Sequence, residues 1–223
     1  MRTKLIAIEG IDGSGKTVQF GLLAERLKAL GHSVACREYP VYSSYFGKQI
    51  GRYLSGSDGV KATDVEQRSM ALWFAMDRFF DMRNFKDGET DLLLINRYVL
   101  SNAVYQSIRD RDISKPDIVE WVFDLEYNVL GLPKPALNIC FDVGTGQAGR
   151  NVEKKGFRDY VGNGKDVYES SASIQERAGN KYIELAEKYD DICIIRCTAN
   201  GAMLPPERIC DEVMEQLGKC GLI

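Results

Sequence analysis

The stretch that decides the fold is IEGIDGSGKT, residues 8–17. The apolar run KLIAIE at 4–9 leads into it, and residues 18–30 follow with apolar side chains at helical spacing. This order predicts a strand, a glycine-rich turn and a helix in direct succession. Glycines in such a turn allow backbone N–H groups to curl around an anion, and the helix N-terminus adds the positive end of its dipole. The stretch therefore predicts a phosphate-binding loop.

The loop has the P-loop spacing, with two glycines five positions apart followed by lysine and threonine. We expect Lys16 to reach the outer phosphates of ATP and the Thr17 hydroxyl to bind Mg²⁺, and these two cofactors are the ones the loop predicts. The predicted cofactor-binding residues are Gly10, Asp12, Gly13, Ser14, Gly15, Lys16 and Thr17. GTPases, motor ATPases, partitioning ATPases and nucleotide kinases all share this loop, so other parts of the chain must distinguish between them.

Strand and helix patterns alternate along the rest of the chain. Further strands are predicted at 33–38, 91–96, 136–142 and 191–197, and further helices at 46–54, 64–82, 100–108, 116–130, 171–189 and from 205 to about 217. No repeat, low-complexity run or linker interrupts them. The pattern predicts a single α/β domain over 1–223, with a five-stranded parallel sheet flanked by helices on both faces.

Composition excludes several classes of function. The 223 residues are 44% hydrophobic and 27% charged, which is typical of a folded domain, and the net charge of −3 argues against nucleic-acid binding. No apolar run approaches the roughly 20 residues of a membrane helix. A single histidine excludes multi-histidine metal sites and Ser-His pairs, and the six cysteines lack zinc-type CxxC spacing. We expect a cytoplasmic protein with neither nucleic-acid nor membrane partners.

Five stretches together resemble the thymidylate kinase family. They are EGIDG at 9–13, EYPVY at 38–42, LWFAMDR at 72–78, NRYVLSNAVYQ at 96–106 and KPALNICFDV at 134–143. They occur in the family's order and spacing, and the resemblance runs from about residue 3 to residue 217. It implies a P-loop NTPase fold with a mobile lid, and phosphoryl transfer from ATP to dTMP that gives dTDP and ADP. It also implies a homodimer through the second and third helices, whose apolar faces could equally be core.

The resemblance implies that four residues in two helices contact the acceptor nucleotide. Phe74 and Arg78 are four positions apart and share a helix face. Phe74 is expected to stack on the thymine and Arg78 to contact the base, although Phe74 could instead be core. Asn102 and Tyr105 match residues that touch the base and the deoxyribose. The Tyr105 ring is expected to fill the space of a ribose 2′-hydroxyl.

Three further residues are expected near the acceptor phosphate and sugar. Arg97 follows a buried strand at its carboxyl end, where open α/β sheets bind ligands, and by resemblance it grips the 5′-phosphate. Asp12 is expected to accept a hydrogen bond from the 3′-hydroxyl or to bind water on Mg²⁺. Tyr42 is expected beside the acceptor phosphate. For Tyr42 and Tyr105, ordinary half-buried tyrosines are the alternative interpretation.

The glycine- and lysine-rich residues 144–169 are predicted to form the lid. One branch of the family has a basic residue directly after the loop aspartate, where this chain has Gly13. By resemblance the catalytic arginine should therefore come from the lid, as Arg150 or Arg158, helped by Lys154 and Lys155. The predicted catalytic residues are Asp12, Lys16, Arg97, Arg150 and Arg158.

One position departs from the family pattern. Most members have Asp-Arg-Tyr after the third strand, and this chain has Asn96 before Arg97. Asn96 is predicted with Thr17 as a metal-site residue, because its amide keeps an oxygen acceptor while the charge is lost. A kinase for another acceptor, such as dUMP, dGMP or a deoxynucleoside, remains open, as does a catalytically impaired nucleotide-binding relative. A switch GTPase is disfavoured, because the chain has no NKxD-like tetrapeptide.

Overall fold

The protein is described by a computed structural model that covers residues 2–110, 114–153, 166–168 and 171–223. Its main sheet has five parallel strands in the order β2-β3-β1-β4-β5. Their bounds are β1 (Lys4–Glu9), β2 (Val34–Glu38), β3 (Leu92–Asn96), β4 (Leu137–Asp142) and β5 (Ile192–Arg196). The strands β1, β3 and β4 are almost wholly buried, as expected for unbroken apolar runs that helices cover on both faces. The predicted five-stranded parallel sheet is confirmed.

Helices connect the strands and cover the sheet. Their bounds are α1 (Lys16–Ala29), α2 (Tyr45–Ser55), α3 (Gln67–Met82), α4 (Val99–Ser107), α5 (Ile118–Phe123), α6 (Thr145–Glu153), α7 (Ala172–Lys188) and α8 (Pro206–Lys219). Helix α1 packs against α8, while α2, α3, α4 and α5 pack in series. A short antiparallel ladder, β6 (Thr198–Ala199) with β7 (Ala202–Met203), precedes α8 and was not predicted. None of the helices in the described part of the chain is long and apolar enough to cross a bilayer.

The predicted helix at 116–130 is helical in the structure, but its second half is a π-helix and not an α-helix. Asp117 caps α5 by accepting hydrogen bonds from the backbone N–H groups of Val119 and Glu120. A π-helix (Asp124–Val129) follows directly, and the Leu130 N–H donates to the Leu125 carbonyl five residues back, at 2.8 Å. The wider turn changes which side chains face inward, and π-bulges of this kind often occur at functional sites.

The region predicted as a lid begins with a helix that was not predicted. Helix α6 includes Gly146 and Gly149, although glycine is unfavourable inside a helix. Predicted residues Lys154, Lys155 and Arg158 lie outside the described residues, as does half of the predicted lid at 144–169.

A buried carboxylate fixes the start of α4 to the end of β1. Glu9 is fully buried, and it accepts hydrogen bonds from the backbone N–H groups of Tyr98 (2.8 Å) and Ser101 (3.3 Å) and from the Ser101 hydroxyl. Burial raises the pKa of Glu9, and the hydrogen bond from Ser101 only partly opposes this effect. Since α4 carries several predicted site residues, Glu9 sets their position relative to the P-loop.

Candidate active site

The P-loop is built by close backbone approach at its first glycine. Gly10 has φ of 130°, and a Cβ atom there would lie 2.8 Å from the Phe141 carbonyl oxygen in β4. Gly15 precedes α1 in a left-handed conformation and makes no side-chain cap hydrogen bond. The start of this helix thus has the geometry of an anion-binding turn, as the loop pattern predicts.

Lys16 lies folded against the loop that it follows. Its Nζ donates to the carbonyl oxygens of Gly10 (3.0 Å) and Ile11 (2.7 Å). The side chain is buried, while Thr17, one residue further, is exposed at the helix start. The lysine charge is therefore held directly beneath the anion-binding turn.

An ion pair joins the P-loop to the end of β3. An Arg97 Nη2 donates to an Asp12 carboxylate oxygen, and Arg97 has a left-handed backbone with φ of 63°. Such a conformation is unfavourable for a residue with a Cβ atom and often marks a functional site. Burial lowers the pKa of Arg97, but the Asp12 carboxylate outweighs burial and the pKa lies well above its usual value. The pair thus joins the P-loop to the residue that follows β3.

Gln175, which the sequence did not single out, clamps Asp12 from α7. Its Oε1 accepts from the Asp12 backbone N–H at 3.0 Å, and its Nε2 donates to the Asp12 carboxylate at 3.0 Å. The Tyr105 hydroxyl reaches the same Gln175 oxygen at 3.2 Å. Burial raises the pKa of Tyr105 well above its usual value, so its hydroxyl remains a donor. The amide therefore fixes both the backbone and the side chain of Asp12.

The predicted acceptor residues converge on one pocket. Its walls include Asp12, Tyr42, Phe74, Arg78, Arg97, Asn102 and Tyr105, together with Tyr39, Tyr98, Asp166 and Tyr168. The walls come from the P-loop, the turn after β2, α3, α4 and the residues before α7. Phe74 and Tyr42 are half-buried, and the Tyr105 ring stacks on Tyr168 with centroids 5.5 Å apart. Residues from distant parts of the sequence thus meet at the carboxyl edge of the sheet.

Arg78 and Asn102 are held in this pocket by Glu126 of the π-helix. Arg78 donates from Nε (2.6 Å) and Nη2 (2.5 Å) to the two oxygens of Glu126. Asn102 Nδ2 donates to the same carboxylate at 2.8 Å. All three side chains are buried. Burial alone lowers the pKa of Arg78, and attraction to Glu126 outweighs burial and raises it.

Asp77 positions the turn that carries Tyr42. Its carboxylate accepts from the Val41 backbone N–H at 2.7 Å and from the Ser44 hydroxyl at 2.7 Å. Ser44 in turn caps α2 by accepting from the Gly47 N–H. The residue before Arg78 thus ties α3 to the turn after β2.

Of the two lid arginines, the structure describes only Arg150. It is exposed near the end of α6 and donates to Gln147 at 2.7 Å. The next residue, Asn151, donates to the Gly13 carbonyl at 2.8 Å and so connects α6 to the P-loop. Arg150 therefore lies one residue from a P-loop contact and does not line the acceptor pocket.

The two residues predicted for a metal site, Thr17 and Asn96, have neutral side chains. Among the described residues, no group of three or more His, Cys, Asp or Glu side chains could hold a metal ion. Asn96 Nδ2 donates to Glu38 at 2.5 Å, and its Oδ1 is buried without a hydrogen-bond partner. An orphaned acceptor at this edge fits a metal-bound water, and Mg²⁺ generally takes few protein ligands beside substrate phosphates. The residues present thus fit Mg²⁺ bound mainly through nucleotide and water.

The sequence did not single out the pocket-lining residues Tyr39, Tyr98, Asp166 and Tyr168. It also missed four residues that hold the site in place: Glu9, Asp77, Glu126 and Gln175. One signal was present for Glu126, because it falls four residues from Val122 and from Leu130 and so shares an apolar helix face. A carboxylate on such a face needs a buried partner. For Gln175 no local signal exists, since Asp12 lies 163 positions away.

A P-loop and a second, arginine-lined pocket meet at the carboxyl edge of a five-stranded parallel sheet, and this arrangement defines a P-loop kinase for small phosphorylated acceptors. Residues 8–202 match the family profile described as thymidylate kinase. The chain belongs to the thymidylate kinase family, whose members are nucleoside monophosphate kinases that use ATP as phosphate donor.

Relatives agree with this assignment, and a solved structure shares the fold. A thymidylate kinase from Mycobacterium tuberculosis is 35% identical over 185 residues, covering 82% of this chain and 85% of the relative. A probable thymidylate kinase from Thermococcus onnurineus is 28% identical over 203 residues, covering 87% and 90%. The structure of thymidylate kinase from Candida albicans is similar in fold, with a TM-score of 0.73 at 19% identity and coverage of 99% and 93%.

Proposed function

We propose that this protein transfers the γ-phosphoryl group of ATP to dTMP, giving dTDP and ADP. The observation that carries the proposal is the convergence of seven residues, predicted from the sequence, on one pocket beside the P-loop. Family membership supports the reaction class, and the pocket supports a nucleotide acceptor. A half-buried aromatic ring, Phe74, is available for stacking, which contributes on the order of 1–3 kcal/mol per base in single-strand binders.

The mechanism rests on positioning and charge neutralisation. The uncapped first turn of α1 and Lys16 bind the donor phosphates, and Arg97 orients the acceptor phosphate with the guanidinium edges that Asp12 leaves available. The acceptor phosphate is itself the nucleophile, so no general base is required. In-line geometry and electrostatic stabilisation then supply most of the rate enhancement.

Mg²⁺ belongs to the same proposal. When bound, it neutralises charge on the β- and γ-phosphates. Thr17 at the start of α1 and the orphaned Oδ1 of Asn96 are the proposed contacts, the latter through water. The carboxylate of Glu38 lies next to Asn96 and leaves this edge with a negative charge even though the usual aspartate is absent.

The arginine that meets charge on the moving phosphoryl group is proposed to be Arg150 or Arg158. The contact between Asn151 and Gly13 supports Arg150, because it brings the end of α6 to the donor loop. We further propose a cytoplasmic location, supported by six cysteines that are all free thiols.

A homodimer through α2 and α3 completes the proposal. Leu72, Phe79 and Phe80 are each exposed by about two fifths and lie along one face of α3, beside the exposed Tyr45 of α2. Phe46 and Trp73 extend this face with ring contacts. A contiguous apolar face of this kind supports burial against a second copy of the chain.

The test is ADP release from Mg·ATP with dTMP, beside dUMP, dGMP and thymidine as acceptors. We expect turnover with dTMP to exceed the others by at least an order of magnitude in kcat/KM. Lys16→Ala should reduce kcat by roughly 10²–10³-fold, as does removal of other transition-state donors. Preference for another acceptor would overturn the base assignment, and ATP binding without turnover on any acceptor would show a catalytically silent relative.

A further inference from the structure

The wall of the acceptor pocket formed by α3 and α4 takes its hydrogen-bonding pattern from one buried carboxylate. We propose that Glu126 is a positioning residue for specificity. Through Arg78 and Asn102, it makes the pocket complementary to a pyrimidine with a carbonyl oxygen next to a ring N–H, and so rejects cytosine. This inference rests on the proposed function, because it concerns the base of the same acceptor nucleotide.

The first step concerns Arg78. Glu126 takes the Nε and Nη2 hydrogen bonds of the guanidinium, at 2.6 and 2.5 Å. A planar guanidinium held at two positions cannot rotate, and its remaining Nη1 group is a donor only. Arg78 lines the pocket, so the bidentate pair fixes a donor in that wall.

The second step concerns Asn102, whose amide could in principle face either way. Its Nδ2 lies 3.0 Å from the Ala71 carbonyl oxygen and 2.8 Å from Glu126 Oε1. Both neighbours are acceptors, so only the nitrogen can face them and the orientation is determined. The Oδ1 atom is then the group left for the pocket, and it is buried without a hydrogen-bond partner.

The third step compares this wall with the pyrimidines. A fixed donor beside a fixed, unsatisfied acceptor matches the O4 oxygen and N3–H of thymine or uracil. Cytosine presents an exocyclic amine and an unprotonated N3 at the same edge, so donor would face donor and acceptor would face acceptor. Sites built to hydrogen-bond a substrate reject mismatched analogues by up to about 10⁴–10⁵-fold.

The alternative is that Glu126 only neutralises the buried Arg78. If Glu126 only neutralised Arg78, its replacement would lower stability and would change kcat/KM by the same factor for every acceptor. If Glu126 positions the base-contacting groups, its replacement must also change the ratio of kcat/KM between acceptors with different bases. Asn102 separates the two cases, because it carries no charge to be neutralised and still makes a 2.8 Å hydrogen bond to Glu126.

The experiment measures kcat/KM for dTMP, dUMP and dCMP in wild type and Glu126→Gln. Glutamine keeps the shape but replaces the oxygen that accepts from Arg78 Nε with an N–H donor. It therefore cannot hold Arg78 at two positions, although Oε1 could still accept from Arg78 Nη2 and from Asn102. We expect the dTMP-to-dCMP ratio to fall at least tenfold. The dTMP-to-dUMP ratio should stay within about twofold, because both bases show the same edge, and the KM for ATP should not change. Asp124→Asn, an exposed carboxylate on the same π-helix, is the matched control and should behave as wild type.

An unchanged dTMP-to-dCMP ratio with a lowered melting temperature would overturn the inference. If Glu126→Gln does not fold, Glu126→Asp keeps the charge beside Arg78 but is one methylene too short to reach both partners. It should show the same fall in the ratio, and a wild-type ratio would again overturn the inference. If wild type does not phosphorylate dTMP, the proposed function fails by itself. Calorimetric binding of the same three nucleotides then tests the role of Glu126 separately.

Discussion

Gly47 and Val41 lie in direct backbone contact. A Cβ atom at Gly47 would lie 1.9 Å from the Val41 carbonyl oxygen and 2.9 Å from the Tyr42 nitrogen. We predict that Gly47→Ala lowers the free energy of unfolding by about 1–3 kcal/mol, because the neighbouring atoms are backbone and cannot rotate away. It should also raise the KM for the acceptor, since the displaced turn carries Tyr42. Urea denaturation and steady-state kinetics measure the two effects.

The matched control for Gly47 is Gly21, an exposed glycine in α1 where an added Cβ atom would have no neighbour within 4 Å. Gly21→Ala should raise the free energy of unfolding by about 0.5–1 kcal/mol through helix propensity. Equal effects of the two substitutions would contradict the packing argument.

Tyr105 is predicted to exclude ribonucleotides by the volume of its ring. Tyr105→Ala should reduce the preference for dTMP over its ribonucleotide counterpart by about 10–100-fold. Tyr105→Phe keeps the ring and loses only the hydrogen bonds to Asp12 and Gln175, so it should keep the preference. Competition between the two acceptors measures the ratio. A ratio that falls in both variants would instead assign the effect to the hydroxyl.

Glu9 should make stability depend on pH. Its pKa in the folded protein is raised above the usual 4.5, so the folded state binds this proton more tightly than the unfolded state. The free energy of unfolding of the wild type should therefore fall, relative to Glu9→Gln, as the pH rises from 4.5 through the raised pKa. Urea denaturation over this range measures the difference.

Asp91 is a control for Glu9, because its pKa is shifted in the opposite direction and its effect on stability should have the opposite dependence on pH. Hydrogen bonds from the Ser33 hydroxyl and backbone lower its pKa below the usual 3.8. The stabilisation that the Asp91 carboxylate gives the folded state should be present at neutral pH and lost as the pH falls from 3.8 through the lowered pKa. The free energy of unfolding of Asp91→Asn should therefore differ from that of wild type only above this pH range. Parallel pH profiles for wild type and Glu9→Gln would contradict the raised pKa of Glu9.

Asn96→Asp should make stability depend on metal. The new carboxylate would face Glu38, now 2.5 Å from the Asn96 amide, and would lose the donor that joins them. In EDTA the melting temperature should fall by about 2–4 °C for each kcal/mol of repulsion. Mg²⁺ should restore it, with a larger gain than in wild type. The double variant Asn96→Asp/Glu38→Gln keeps one carboxylate and a donor, and should be stable without metal. Equal metal dependence in all three proteins would refute a metal-facing role for this edge.

The apolar face of α3 should control assembly. Leu72→Glu places a charge on that face and should convert the proposed homodimer to a monomer in light scattering after size exclusion. Leu30→Glu is the control, because Leu30 is more exposed, at 62% against 44%, but lies at the end of α1. A monomeric wild type, or a dimeric Leu72→Glu, would show that another surface or no surface is used.

The parallel sheet was predictable because buried apolar runs such as DLLLIN, with flanking turn residues, are unambiguous. The P-loop and the residues that line the pocket beside it were predictable because short motifs carry them, at a spacing that reflects their chemistry. The local backbone geometry of two segments was not predicted. Neither the π-turn after Phe123 nor the helix containing Gly146 has a periodicity that differs from its alternatives.

Polar partners at long range were also beyond the sequence. Glu126 is 48 positions from Arg78, and Gln175 is 163 positions from Asp12. Their pairing is decided by packing that brings α5 and α7 against α4, which no local pattern encodes. The side chains that line the pocket were thus predictable, whereas the residues that hold them in place were not.

The number of residues in the π-helix determines which side chain faces Arg78. One α-helical residue corresponds to about 100° of rotation. Deleting a single residue between Phe123 and Glu126 would relax the wide turn to an ordinary one and aim a different side chain at Arg78. If Glu126 sets base preference as proposed, we expect acceptor preference in this protein to change through an insertion or deletion of one codon, with every pocket residue itself unaltered.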